Sequence, residues 1–477
     1  MPGIDEDLAF GSATELRAQI ADGRVSPVEI TELYLSRIQR LDPQLNSYIT
    51  VTAERATEAA RKAEQAVARG DELGPLHGIP ISIKDLQMTA GVRTTSGSLV
   101  YKDRVPDADC AVVERVLAAG AVMLGKTNTP EFGLIGVTEN RLGGPSRNPW
   151  DTGRISGGSS GGAGASLAAG LCSLATASDG GGSIRIPASF NGIYGIKPTQ
   201  GRVSGYSGVG RLPGVNLTGQ SGPMSRTVRD SALLLQVLAG YDARDPGSMN
   251  APVPDFLAAA DRGVEGLRVA WSRDYGYAVV EPQVAAIIEQ AAGVFEELGC
   301  TVDEADLCLD ATSDAWGMLA ATGAYLAHGH LLDDPSDPLT WYARRIIEAG
   351  ASYTTSDNTA AFSWREGIIR QFADQFESYD LLLSPTMGVT AFPVDGYPMV
   401  MDENESYANP GWNYRALTHP INTVGFPAAS VPCGFDSDGM PVGLQIVARH
   451  GDEETVIAAS AAFEQARPWA HHRPAVA

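Results

Sequence analysis

The chain has 477 residues, 44% of them hydrophobic and 19% charged, enough apolar material for a large buried core. A formal net charge of −22, with no cluster of Lys and Arg, argues against a nucleic-acid partner and reads as solubility. Only Lys62, Lys84, Lys102, Lys126 and Lys197 carry an amine side chain.

Residues 8–70 read as helical. Ser12 precedes a segment of helical apolar period, Ser26-Pro27-Val28-Glu29 combines an N-cap, a first-turn proline and an acidic residue, and 53–69 is rich in Ala, Glu, Arg and Lys. At Gly78 the pattern changes to the strand-like alternation Ile79-Pro80-Ile81-Ser82-Ile83-Lys84, with Lys84 at its polar end. A helix over 109–119 leads into a short buried strand at Ala121–Leu124. Residues 143–163 form a loop rich in Gly, Ser and Pro, 163–170 suits a tightly packed helix, and 179–183 is a second Gly-rich turn. Beyond residue 230 helices and strands alternate. Leu267–Trp271 and Asp380–Pro385 read as core strands, 431–435 and 443–447 as a hairpin, and 395–412 as a polar surface loop. No internal repeat or linker divides the chain. The expected organisation is an N-terminal helical segment, 1–70, packed on one continuous α/β core, 71–477, with a variable pocket region at about 310–415.

Two strings carry the chemistry: GGSSGG at 157–162 and SDGGGSIRIP at 178–187. Three glycines directly before Ser183 strip side chains from the backbone, so several N–H groups can converge beside its hydroxyl, as a tetrahedral oxyanion needs. A serine nucleophile also needs a base. No histidine adjoins either string, and burial at a strand end would lower the pKa of Lys84 toward a usable one. Plain turn chemistry explains either string alone; the two together with Lys84 favour catalysis.

These strings, with GIPISIKD at 78–85, GKTNTPEF at 125–132, RNPWD at 147–151, GIYGIKPT at 192–199 and GLQIVA at 443–448, resemble the amidase signature family over about residues 10–465. The resemblance implies a large mixed central β-sheet flanked by helices on both sides. It implies a Ser–cisSer–Lys triad of Ser183 as nucleophile, Ser159 as bridging relay after a cis Gly158–Ser159 peptide, and Lys84 as base. It places the oxyanion hole at the amides of Gly180, Gly181, Gly182 and Ser183, and Gly133 where a backbone carbonyl faces the substrate. Ser160, Asp179 and Arg185 support these groups, and Lys126, Asn128 and Lys197 organise nearby loops. The family usually has Thr-Asp-Thr-Gly-Gly-Ser where this chain has Ser178-Asp179-Gly180-Gly181-Gly182-Ser183, a departure that bears on pocket shape rather than mechanism.

The implied activity is hydrolysis of C–N bonds in amides or carbamates, with an aryl amide or urethane favoured, no cofactor and no metal. Family members with this layout act on aryl amides, fatty amides, peptide amides, carbamates and nylon-type oligomers. The rival readings are a glutamine-hydrolysing amidotransferase subunit with partner subunits, and a non-catalytic scaffold. The amidotransferase branch commonly has Asp where this chain has Pro130. The partner is a small amide or carbamate, with neither nucleic acid nor membrane, and a homodimer is compatible with the sequence. Trp316, Tyr325, Trp341, Tyr342, Phe392, Tyr397, Tyr407, Trp412 and Tyr414 either line the pocket, together with 132–140, 203–215, 316–345 and 384–415, or fill the core.

Other patterns are weaker. Gly120–Thr127 fits GxxxxGK[ST], but its middle four residues read as a buried strand. Gly157–Gly161 fits GxSxG without the preceding hydrophobic strand of a nucleophile elbow, although His419 and His450 follow in the right order. His471-His472 reads as a frayed tail. Cys110, Cys172, Cys300, Cys308 and Cys433 lack metal spacing and read as buried free thiols of a reducing compartment. The first ten residues have no basic or apolar signal region, and Ile155–Ser178 is too weakly apolar to span a membrane, so a soluble cytoplasmic protein is expected.

Overall fold

The structure, a computed structural model, describes residues 6–208, 218–305, 307–309, 312–396 and 413–476. Of the expected surface loop, 397–412 lies outside these residues, as do Tyr397, Tyr407, Trp412 and the pocket-wall stretch 209–215.

Eleven strands form one sheet among the described residues: β1 (Tyr48–Val51), β2 (Pro80–Lys84), β3 (Val122–Thr127), β4 (Leu174–Asp179), β5 (Tyr194–Lys197), β6 (Gln220–Ser225), β7 (Arg268–Trp271), β8 (Thr301–Glu304), β9 (Leu381–Pro385), β10 (Ala428–Phe435) and β11 (Pro441–Val447). Their order is β1-β3-β2-β4-β6-β5-β10-β11-β9-β7-β8. β2 runs parallel to both β3 and β4, whereas β10 and β11 form the expected hairpin. The sheet is therefore mixed, with helices around it, as the alternation of elements implied.

Local chemistry sets the first helices. Ser12 accepts from the Glu15 amide to cap α1 (Ala13–Ala21), and Ser26 accepts from Val28 and Glu29 to cap α2 (Pro27–Leu45). Each such cap contributes about 1 kcal/mol. α3 (Ala53–Arg69) has the expected bounds. The stretch 8–70 is not helical throughout, however: β1 interrupts it and pairs antiparallel with β3. Four residues are too few to show an alternation between two helical periods. What draws β1 to the sheet is distant in sequence, for the Tyr48 hydroxyl meets Ser82 Oγ at 2.5 Å and donates to the Leu171 carbonyl.

β2 and β3 are buried at every position. The strand expected at 121–124 continues through Thr127, so the GKT of the phosphate-loop pattern is buried strand and cradles nothing. α4 (Ala111–Ala118) precedes it, α5 (Gly161–Ala168) is the small-residue helix, and α6 (Arg185–Asn191) follows the nucleophile turn. One apolar core runs from Leu16, Ile30 and Tyr34 through Ile81, Ile83, Leu124 and Leu174 to Leu444, Ile446 and Ile457. A separate cluster joins Ile186 and Phe190 of α6 to Tyr342, Phe392 and Tyr414. Those three aromatics thus fill a core, whereas Tyr325 and Trp341 are exposed. Cys308 is exposed, unlike the expected buried thiol, and all five cysteines are free. The His471-His472 pair is not frayed: its rings lie 4.0 Å apart and His472 packs edge-on against Phe435. Among the described residues no helix is long and apolar enough to cross a membrane, and no cluster of three His, Cys, Asp or Glu side chains could hold a metal.

Candidate active site

Because β2 and β4 are adjacent and parallel, their C-terminal ends open on the same edge of the sheet, the usual position for a site in an open α/β fold. Lys84 ends β2; Ser178 and Asp179 end β4. Lys84 is fully buried, and its Nζ lies 2.9 Å from Ser159 Oγ, 2.7 Å from Ser160 Oγ, 3.1 Å from Ser178 Oγ and 3.2 Å from the Ser178 carbonyl. Burial lowers its pKa to about 7, against an opposing pull from the charge of Asp179. A neutral amine has two N–H donors and one lone pair. Ser160 Oγ can itself donate to the Ser178 carbonyl, at 3.4 Å. With Ser160 so engaged, the lone pair is left for the proton of Ser159.

The Gly158–Ser159 peptide is cis. Gly133 lies against the same serine: a Cβ there would come within 3.3 Å of Ser159 Oγ and 2.7 Å of Leu86 Cδ1. Ser183 is 6% exposed, and its carbonyl accepts from the Ser160 amide at 3.2 Å, which ties the nucleophile turn to the start of α5. Among the described residues no hydrogen bond joins the Ser159 and Ser183 hydroxyls. Catalytic contacts are often looser without substrate.

The turn between β4 and α6 is held from inside by a buried ion pair. Arg185 donates to both oxygens of Asp179 at 3.0 Å. Burial raises the Asp179 pKa, but the Arg185 charge and its hydrogen bonds outweigh that and hold the carboxyl well below its ordinary range. Arg185 also donates to Gln445 and Asn422, and Asn422 Nδ2 donates back to Asp179. The carboxylate then takes the amides of Gly182 at 2.6 Å and Ile184 at 3.1 Å. Here the expected oxyanion hole needs correction. The Gly182 N–H is already spent on Asp179, so it does not face the reacting carbon with the others. The amides of Gly180, Gly181 and Ser183 make no hydrogen bond among the described residues and remain as donors.

The supporting lysines lie where loops need tying. Lys126 Nζ donates to the Gln87 carbonyl and to Thr89 Oγ1, Lys197 Nζ to the Pro198 carbonyl, and Asn128 to the Asn46 carbonyl. The elbow alternative gains nothing from the fold, since isolated bridges rather than a strand precede Gly157. His419 packs its ring on Trp316 at 5.4 Å, and His450 packs on Phe426. Asn422, Gln445, Thr418 and Trp316 all touch the nucleophile turn or its ion pair, and sequence reasoning assigned none of them that place. Only Gln445 lay within a motif string.

The Amidase family model matches residues 29–457. The chain belongs to the amidase signature family. It is thus an amidase-family hydrolase acting on amides. An acylamidase from Rhodococcus erythropolis is 38% identical over 99% of this chain and 98% of its own length. The GatA-type polypeptide of a glutamyl-tRNA(Gln) amidotransferase, from Moorella thermoacetica, is 40% identical over 98% and 99%. The crystal structure of a bacterial aryl acylamidase of the amidase signature family superposes with a TM-score of 0.88, at 32% identity, covering 96% of this chain and 97% of that one.

Proposed function

We propose that this amidase family member acts alone, as a cytoplasmic enzyme hydrolysing aryl amides or carbamates through an acyl-enzyme on Ser183. The single observation that carries the reading is a buried amine, near-neutral at physiological pH, within 2.9 Å of the Ser159 hydroxyl. Lys84 accepts the proton of Ser159 while Ser159 accepts that of Ser183, whose Oγ attacks the carbonyl carbon. The amides of Gly180, Gly181 and Ser183 stabilise the oxyanion. The C–N bond then breaks, and Ser159 hands a proton to the departing nitrogen, a step that matters because an amine anion leaves badly. One water attacks the ester by the same relay in reverse, releasing the acid and restoring Ser183. No cofactor enters these steps.

A second reading has its own support in the likeness to the amidotransferase polypeptide, which would make this chain a glutamine hydrolase with partner subunits. Pro130, the acylamidase and the aryl acylamidase favour the first. The test is to express the chain alone and assay an anilide, an aryl carbamate and glutamine, with Ser183→Ala beside it. Turnover of the anilide or carbamate, abolished in the variant, supports the proposal. Turnover of glutamine alone, or only once partner subunits have been supplied, supports the amidotransferase. Near wild-type rates in Ser183→Ala would remove the nucleophile from both.

A further inference from the structure

The donors of an oxyanion hole are main-chain groups, so what aims them is whatever fixes each peptide plane. In a trans peptide the C=O and N–H point in opposite directions; pinning the carbonyl therefore aims the amide. Three consecutive carbonyls of the nucleophile turn are pinned. Gly182 O accepts from the Ile186 amide at 2.7 Å, which aims the Ser183 N–H from within the motif itself. Gly181 O accepts from Thr418 Oγ1 at 2.8 Å, in the peptide whose N–H already serves Asp179. Gly180 O accepts from Trp316 Nε1 at 3.1 Å, and that peptide carries the unspent N–H of Gly181.

Trp316 belongs to the helix Thr312–His328, far from the motif in sequence. It is 6% exposed, with the Arg415 guanidinium 5.4 Å from its ring centroid and the His419 ring on it at 5.4 Å. A Cβ on Gly181 would stand 2.3 Å from Trp316 Cζ2, so the indole occupies the space that a side chain there would need. The carbonyl of Arg415 also accepts from Thr418 Oγ1 at 3.0 Å, which links the two outer pins. We propose that Trp316 is a positioning residue for the reaction: its indole N–H holds the Gly180–Gly181 peptide so that the Gly181 amide faces the developing oxyanion. The inference rests on Ser183 being the nucleophile.

The test is Trp316→Phe, which keeps a ring over Gly181 and removes the donor. Substrate should bind as before, because the amide is needed most when charge develops. We expect kcat to fall about ten- to a hundredfold, less than the loss of an oxyanion donor itself. KM and Tm should stay near wild type, and affinity for an arylboronic acid should fall in proportion to kcat. Thr418→Val removes a donor from the same turn but from the peptide that serves Asp179, and should cost less boronic-acid affinity. Unchanged kcat in Trp316→Phe overturns the proposal. So do equal losses in the two variants, or losses that track Tm, because general loosening would then explain them. Labelling by a fluorophosphonate separates the two levels: label absent from Ser183 in the wild type defeats the nucleophile reading, whereas wild-type labelling at a normal rate in Trp316→Phe defeats only the role of Trp316.

Discussion

Two lysines on neighbouring strands offer a controlled comparison within the molecule. Lys84 ends β2 and Lys126 lies in β3, one register step apart, with Ile83 opposite Lys126 and Lys84 opposite Thr127. Residues in register share a face of the sheet, so the two amines leave by opposite faces. Both are fully buried, and burial lowers one pKa to about 7 and the other to about 8. Their surroundings differ in kind. Lys84 meets three hydroxyls, each able to give up a proton. Lys126 meets the Gln87 carbonyl, which can only accept, the Thr89 hydroxyl, and the nearby charge of Asp85, which favours its protonated form. Desolvation makes an amine available as a base; the groups around it decide whether it has anything to deprotonate.

Substitution separates the two roles most sharply. Lys84→Met should lower kcat/KM by at least about 10³-fold, as loss of one member of a cooperating catalytic set does, with the fold retained by circular dichroism. Lys126→Met should leave kcat within about tenfold and cost about 1–3 kcal/mol of stability, the range for buried groups left without a partner, read as a lower Tm. Comparable activity losses at equal Tm would break the distinction.

How far the sequence shows this arrangement depends on distance along the chain. Lys84, Ser159, Ser160, Asp179, Ser183 and Arg185 fall in short strings whose glycines and strand-end lysine have local physical reasons. The alternation of helices and strands, the β10–β11 hairpin and the capped helices are legible for the same cause. Three features are not. β1 depends on Tyr48 reaching Ser82 and Leu171. The outer pins of the nucleophile turn, Trp316 and Thr418, arrive from segments with no pattern of their own. The allocation of the Gly182 amide to Asp179 is a matter of which way one peptide faces, and three glycines in a row permit either way.

The same contrast between inner and outer supports can be pressed at Gly181. Its missing Cβ leaves room for Trp316, at 2.3 Å, so Gly181→Ala must move either the turn or the indole. A displacement of that order in a catalytic group costs about 10²-fold, and we expect that loss in kcat. A wild-type kcat would mean that the turn yields without consequence, and that its outer wall has no part in the geometry of the hole.

A smaller effect, but one that returns to the two lysines, is the pH profile. The Lys84 pKa is depressed to about 7, whereas a lysine in an unfolded chain titrates near ~10.4. Below about 7 the amine of the folded protein gains a proton and loses the lone pair that the relay needs. kcat/KM should therefore fall about tenfold per pH unit below that value and level off above it. Between about 7 and ~10.4 the unfolded chain holds a proton that the folded one lacks, so the contribution of this residue to stability rises with pH across that window. The limb should persist unshifted in Lys126→Met. A profile flat down to pH ~5 would mean that the titrating base is some other group.

Gly180 gives the least effect and the most direct test of why its neighbour is a glycine. It lies outside the left-handed region, and a Cβ built on it would meet nothing nearer than Gly219 Cα at 3.9 Å. Neither sterics nor backbone demands glycine there, in contrast to Gly181, crowded by Trp316, and Gly182, which has a φ of +118°. Gly180→Ala should change kcat by less than about threefold, since the amide and its plane are untouched. Because alanine restricts the unfolded chain, the variant should also gain about 0.4–1 kcal/mol, read as a higher Tm. If the added methyl instead raises KM for bulky anilides while kcat and Tm hold, the space beside Gly180 is part of the substrate pocket, and the departure from the family's usual branched residue there acts on specificity.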